Sequence, residues 1–242
     1  MRNGDRTTVS ALVEVEFETM YGVSHVAKSR LFKTALFGGT NGYWRASVLK
    51  SIRFRTDRLT EDIDATLRTL LAGYRIVHDR SIVSTEIEPE TLADLWYQRK
   101  RWAQGWFQCA VAHQWALLKC KYLGLLQRFF WTYLLSWRVI YDALSHFLLP
   151  ILLVFWIHIG RVAVPMNAYI WFALIITLTS GPFETIAAYK NRAFRQTRGR
   201  RYLFYALTAF PYTMFKNVIQ MVAIRDELLG KREWIVSRRA AR

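Results

Sequence analysis

The chain has 242 residues, 52% of them hydrophobic and 15% aromatic, and carries a formal net charge of +16. A basic soluble domain rarely holds so many apolar residues, and a nucleic-acid binder spreads its charge over a polar fold, so both classes are disfavoured; no nucleic-acid partner is expected, nucleic-acid binding staying the runner-up only for the loop Lys190 to Arg201. What fits is a smaller folded domain joined to membrane helices, its charge serving the membrane and its lipid.

Cys109 and Cys120 have no metal-like spacing and read as ordinary buried thiols, and Met1 to Ser10 has no apolar core of the signal-peptide kind. Thr8 to Ser29, with Val9, Leu12, Val13, Val15, Phe17, Met20, Tyr21 and Val23, predicts an amphipathic helix. Leu31 to Phe37 reads as a strand, broken by Gly38-Gly39-Thr40-Asn41-Gly42 before Tyr43 to Ala46 resumes an extended run. Such a glycine-rich turn bends tightly or lies close to a ligand. No Gly-Lys-Ser/Thr follows, so a phosphate loop is not expected.

Ser47 to Ile52 predicts a short helical turn. Thr60 is placed as N-cap of a helix from Glu61 to Leu71, closed by Gly73, with Glu61, Asp62 and Asp64 in its first turn. Acids there complement the helix dipole and need no further role on that ground alone. Tyr74 to His78 and Ser81 to Ile87 read as strands, and Pro89 and Thr91 open a long helix carrying Gln98-Arg99-Lys100-Arg101-Trp102. Helical spacing puts Gln98, Arg101 and Trp102 on one face, joining a fork for phosphate oxygens to a flat platform for a sugar, while Gly105 lets something approach the backbone. A basic aromatic helix at a membrane surface is the equal alternative from this segment alone.

Val139 to Gly160 and Asn167 to Tyr189 are long enough to span a bilayer, which takes about 20 residues. The second is expected to kink at Gly181-Pro182 and to hold Glu184 near the interface. Lys190 to Arg201 is basic and should face the cytoplasm. Tyr202 to Ile224 is interrupted by Pro211, Lys216 and Asn217. An interfacial or re-entrant course would keep the tail from Arg225 to Arg242 on the same side as that loop.

A glycine-rich turn, Thr60-Glu61-Asp62 opening a helix, and Gln98-Arg99-Lys100-Arg101-Trp102 ahead of membrane helices resemble the family-2 processive glycosyltransferases, with their Thr-Glu-Asp and Gln-x-x-Arg-Trp motifs. That group contains cellulose, hyaluronan and chitin synthases. The likeness is close over Leu36 to Trp106. It implies an α/β fold class: residues 1–125 as the C-terminal part of a cytosolic GT-A domain, and 126–242 as a region of two or three transmembrane helices. The expected reaction is inverting hexosyl transfer from a nucleotide sugar to a growing polysaccharide or lipid-linked acceptor, in a multi-pass cell-membrane protein.

By the resemblance, Asp62 is the base that takes the acceptor proton, with Glu61 and Thr60 beside it. Gln98 and Arg101 hold the diphosphate, Trp102 lies under the acceptor sugar, and Gly38, Gly39 and Thr40 line the acceptor path. Gly38 stands where cellulose synthases have Cys, which argues against cellulose as product. A helix N-terminus lowers the pKa of Asp62 and neighbouring Glu61 raises it, leaving the balance open. The family's uridine-binding acids and metal-binding Asp-x-Asp precede the matching region. A divalent metal (Mg or Mn) is therefore expected with its ligands outside this chain, and the missing N-terminal half is a possible separate partner. The alternative is an inactive membrane-anchored scaffold gripping a glycan through Trp44, Trp102 and Trp106.

Overall fold

The computed structural model describes residues 2–159, 164–192 and 199–232; side chains are considered except at 142–149, 152, 159, 164–166, 169, 173 and 177. The chain begins with helix α1 (Thr8–Thr19), which passes through a π-helical segment (Met20–His25) into α2 (Val26–Phe32). Thr7 and Ser10 start α1 with a reciprocal capping box, each side chain accepting from the other's backbone N–H at 3.1 Å. The helices that follow are α3 (Ala46–Ile52), α4 (Glu61–Leu71), α5 (Leu92–Leu118), α6 (Leu125–Ile159), α7 (Val164–Asn191) and α8 (Gly199–Leu228).

The expected strands are not formed among the described residues. Leu31 and Phe32 finish α2 instead, and Lys33 ends that helix in the left-handed conformation. A strand is a paired state, so an extended run with no ladder partner does not become one. Here the backbone groups find other partners. The Phe37 N–H donates to Thr66 Oγ1 at 3.1 Å, Glu88 N–H to Asn3 Oδ1 at 2.9 Å, and Arg2 N–H to the Glu86 carbonyl at 3.0 Å. The runs 33–45 and 72–91 are therefore irregular, and the α/β expectation gives way to a helical assembly.

The long helix α5 organises the packing, burying different side chains along its length. Near its start, Leu95 joins Val13, Val15 and Phe17 of α1 and Tyr202, Tyr205, Ala209 and Tyr212 of α8. Further along, Trp106, Cys109, Ala110 and Leu117 meet Ile63, Leu67 and Leu70 of α4 and Trp131 and Leu135 of α6. Both cysteines are buried free thiols. Helix α4 closes with a Schellman pattern, Gly73 N–H to Leu70 carbonyl at 3.0 Å and Tyr74 N–H to Thr69 carbonyl at 3.1 Å, with Gly73 at φ +84°.

Of the expected membrane segments, Ile170–Asn191 is the one helical stretch among the described residues long and apolar enough to cross a bilayer. Side chains 142–149 and Gly160, within the first expected span, lie outside the described set, as do residues 193–198 of the basic loop and 233–242 of the tail. Helix α7 continues through Pro182. A Cβ on Gly181 would come within 2.4 Å of Ala209 Cβ, so this glycine seats α8 closely against α7. Helix α8 likewise runs through Pro211, with Lys216 paired to Glu16 at 2.8 Å and Asn217 buried.

Asp64 ties three segments together. It is fully buried and meets His113 Nε2 of α5 at 2.7 Å and Arg68 Nε at 2.6 Å, while Arg68 also donates to the carbonyls of Ile52 and Arg53 at the end of α3. Burial alone would raise its carboxyl pKa, but hydrogen bonds from His113 and Arg68 hold it below the usual range. Removing one member of such a buried set is costly because the others lose their counter-charge. Asp64→Ala should therefore destabilise the chain by about 3 kcal/mol, read as a lower midpoint in denaturant unfolding; an unchanged midpoint would contradict this role.

Candidate active site

The site forms where the N-terminus of α4 meets the side of α5. A Cβ at Gly105 would fall 2.5 Å from the Thr60 side chain and 2.6 Å from its backbone nitrogen. Gly105 thus serves the close approach expected of it, and what approaches is Thr60 of the other motif. Around this contact Arg101 Nη1 donates to the Leu59 carbonyl at 3.0 Å, and the Leu59 N–H donates to Gln108 Oε1 at 3.2 Å. Thr60 Oγ1 lies 3.7 Å from Cys109 Sγ. Thr60 occupies the N-cap position but makes no side-chain cap hydrogen bond, because its hydroxyl faces α5.

Asp62, the second residue of α4, lies in this junction. Its Oδ1 accepts from the Ile63 N–H at 2.8 Å. Its Oδ2 faces the glycine-rich turn, 3.1 Å from where a Cβ on Gly39 would stand, and Gly39 has φ +87°. A side chain there would be both strained and crowded against the carboxylate. Desolvation by burial raises the Asp62 pKa to about 6; Glu61 adds to the rise, while the Ile63 N–H and Arg101 oppose it. Burial thus decides the competition between helix terminus and like charge that the sequence left open.

The other expected residues divide around α5. Arg101 faces Leu59 and the α4 terminus, whereas Trp102 lies against Phe17 of α1, ring centres 6.1 Å apart, beneath the Arg99 guanidinium at 4.3 Å. Gln98 Oε1 is buried with no hydrogen-bond partner among the described residues. Trp106, offered as a glycan grip, is instead a core residue, 8% exposed. Gly38 meets the Tyr21 hydroxyl, and Thr40 donates to Glu86; both line an open cavity of about 800 Å³ between the π-helical segment and the irregular runs, with Trp44 and His25 on its wall. Asp62, Gln98, Arg101 and Trp102 are not part of that wall.

Asp62 and Asp64 have the spacing of an Asp-x-Asp but do not converge on a metal position, since Asp64 is committed to His113 and Arg68. Among the described residues no group of three or more His, Cys, Asp or Glu is arranged to hold a metal ion. The described residues do not form a metal site. Sequence reasoning missed Tyr21, Glu86, Glu16 and Arg99. The first two are single polar residues in apolar or irregular runs, and only the fold brings them to the glycine turn. Gly105→Ala should force Thr60 away from α5 and cost about 1–3 kcal/mol. Thermal unfolding should show this as a lowered midpoint, and unchanged stability would contradict the contact.

Residues 1–189 match the family model described as glycosyl transferase family group 2. Poly-beta-1,6-N-acetyl-D-glucosamine synthase of Staphylococcus epidermidis is 30% identical over 112 residues, 46% of this chain and 27% of the relative. Probable glycosyltransferase YdaM of Bacillus subtilis (strain 168) is 31% identical over 104 residues, 43% of this chain and 25% of the relative. The Poly-beta-1,6-N-acetyl-D-glucosamine synthase of Staphylococcus aureus (strain COL) is 36% identical over 80 residues, 33% of this chain and 17% of the relative. The chain thus spans about a quarter or less of the length of these curated relatives. No solved structure matches it.

Proposed function

The chain belongs to glycosyl transferase family group 2, and from that premise we propose that it forms the acceptor and leaving-group side of an inverting transferase that extends a polysaccharide or lipid-linked glycan at the membrane. The donor is a nucleotide sugar. The observation that carries this reading is the state of Asp62, a partly buried carboxyl raised to about 6 beside a turn that has no side chain at Gly39. A carboxylate so poised is a stronger base than an exposed one and is still ionised at neutral pH.

In this reading the acceptor hydroxyl attacks the anomeric carbon while Asp62 removes its proton. The bond from that carbon to the diphosphate breaks, and configuration inverts. Arg101 and Gln98 stabilise the charge gathering on the departing diphosphate, a preplaced contact worth about 10²–10³ in rate. Trp102, the next residue along α5 after Arg101, supports the acceptor sugar. The names of two matched relatives, poly-beta-1,6-N-acetyl-D-glucosamine synthases, make an N-acetylhexosamine the first sugar to try.

Residues 1–125 are the transferase part and 126–242 the membrane part of a multi-pass protein whose catalytic face is cytoplasmic, with Ile170–Asn191 as one span. The donor-binding and metal-binding half lies outside these residues, consistent with the small share of each relative that the chain covers. The purified 242-residue chain alone should then show no transfer from any nucleotide sugar, and robust turnover without a partner polypeptide would overturn this division.

In the complete enzyme, Asp62→Asn should lower turnover by about 10²–10⁴ while nucleotide binding persists; near-normal turnover would remove Asp62 from its role. Because the ionised form is the base and its midpoint is raised to about 6, the rate should plateau above neutral pH and fall as pH drops through 6. A rate flat down to pH 4 would contradict the assignment.

A further inference from the structure

Arg99 is the residue of the motif helix whose burial the proposed chemistry leaves unexplained. Its side chain is 10% exposed and pairs with Glu16 Oε2 at 2.8 Å. Its guanidinium lies 4.3 Å from the Trp102 ring centre and 5.4 Å from that of Phe17. Glu16 is held in turn from α8: Lys216 Nζ donates to Oε1 at 2.8 Å, and the Tyr212 hydroxyl donates to Oε2 at 2.7 Å. Burial alone would raise the Glu16 pKa, but Arg99 and Lys216 overcome it and hold the carboxyl down at about 2.

A buried ion cluster is weak evidence of stabilisation, because desolvating its charges offsets much of their attraction. An apolar residue would fill the same space between α1, α5 and α8 at lower cost. What a guanidinium adds is a flat, rigid cation that stacks on an indole and fixes the plane of its ring, which neither an aliphatic residue nor the point charge of lysine does. Glu16 lies at the junction of the three helices and sets where that plate sits.

We propose that Arg99 and Glu16 are positioning residues for the Trp102 platform: Glu16, anchored by Lys216 and Tyr212, presents the Arg99 guanidinium to the indole and so fixes the ring against which the acceptor sugar rests. The inference rests on the reading of Trp102 as that platform. It also gives α8 a part in the site, because a shift of Lys216 or Tyr212 is passed through Glu16 to the ring.

The test is glycan binding by the 242-residue chain in detergent, with a β-1,6-linked N-acetylglucosamine pentasaccharide as probe, by isothermal titration. Arg99→Lys keeps an ion pair with Glu16 but removes the plate. It should weaken binding about tenfold while the unfolding midpoint stays near that of the wild type. Glu16→Gln, which releases Arg99 but leaves an acceptor oxygen for Tyr212, should show a similar loss. On a Trp102→Ala background, Arg99→Lys should change affinity by less than about twofold, since residues acting through one another are not additive.

If Trp102→Ala loses binding and the Arg99 and Glu16 variants bind like wild type, the positioning role is overturned and the platform stands. Additive losses in the double variant also overturn it. If the wild type does not bind, or Trp102→Ala binds equally well, the platform reading falls and takes the inference with it.

Discussion

The absence of a side chain at Gly105 is the constraint on which the site depends. With hydrogen at that position, Thr60 reaches within van der Waals range of the α5 backbone, and the N-terminus of α4 is pressed into the side of the motif helix. Arg101 and Gln108 then reach the two backbone groups of Leu59, and Asp62 follows into a partly desolvated position under the glycine turn. Any larger residue would open this junction, lengthen the Leu59 hydrogen bonds and admit water to the carboxyl. Stability and the chemistry of Asp62 therefore draw on the same close approach.

Two acids in one helical turn, Asp62 and Asp64, reach different states through their surroundings. Asp64 points inward to His113 and Arg68 and is held below its ordinary pKa, as a structural anion. Asp62 lacks such partners and is raised by burial. Glu61 acts on Asp62 as a like charge. A helix N-terminus favours the ionised form of both aspartates, so the divergence comes from desolvation and counter-charges. The same logic separates Arg99 from Arg101, two residues apart on α5: the first is locked by Glu16, the second spans to Leu59 near Asp62.

The helices were legible because their signals are local. The apolar rhythm of Ile63, Leu67 and Leu70, Thr91 before the long helix, and Gly73 after α4 each act within a few residues. The strands over Leu31 to Phe37, Tyr74 to His78 and Ser81 to Ile87 were misread because β propensity describes a residue's fit to a paired surface. No partner run is present among the described residues. What approaches Gly105 and Gly181 depends on tertiary packing, and here those elements are Thr60 and Ala209. The two motifs were readable as residue types at a spacing. That Arg101 turns to Leu59 and Trp102 to Phe17, and that Glu16 reaches Arg99 from more than eighty residues away, depends on tertiary packing.

The central claim is that burial at the α4–α5 junction turns Asp62 into a base with a midpoint near 6. It is tested most directly by following the side-chain carboxyl carbons of aspartate-labelled protein by NMR through a pH titration, with Asp62→Asn to assign the resonance. The expected result is one resonance with a midpoint near 6 that disappears in Asp62→Asn. An Asp62 resonance titrating at or below about 4, the ordinary aspartate range, would contradict it.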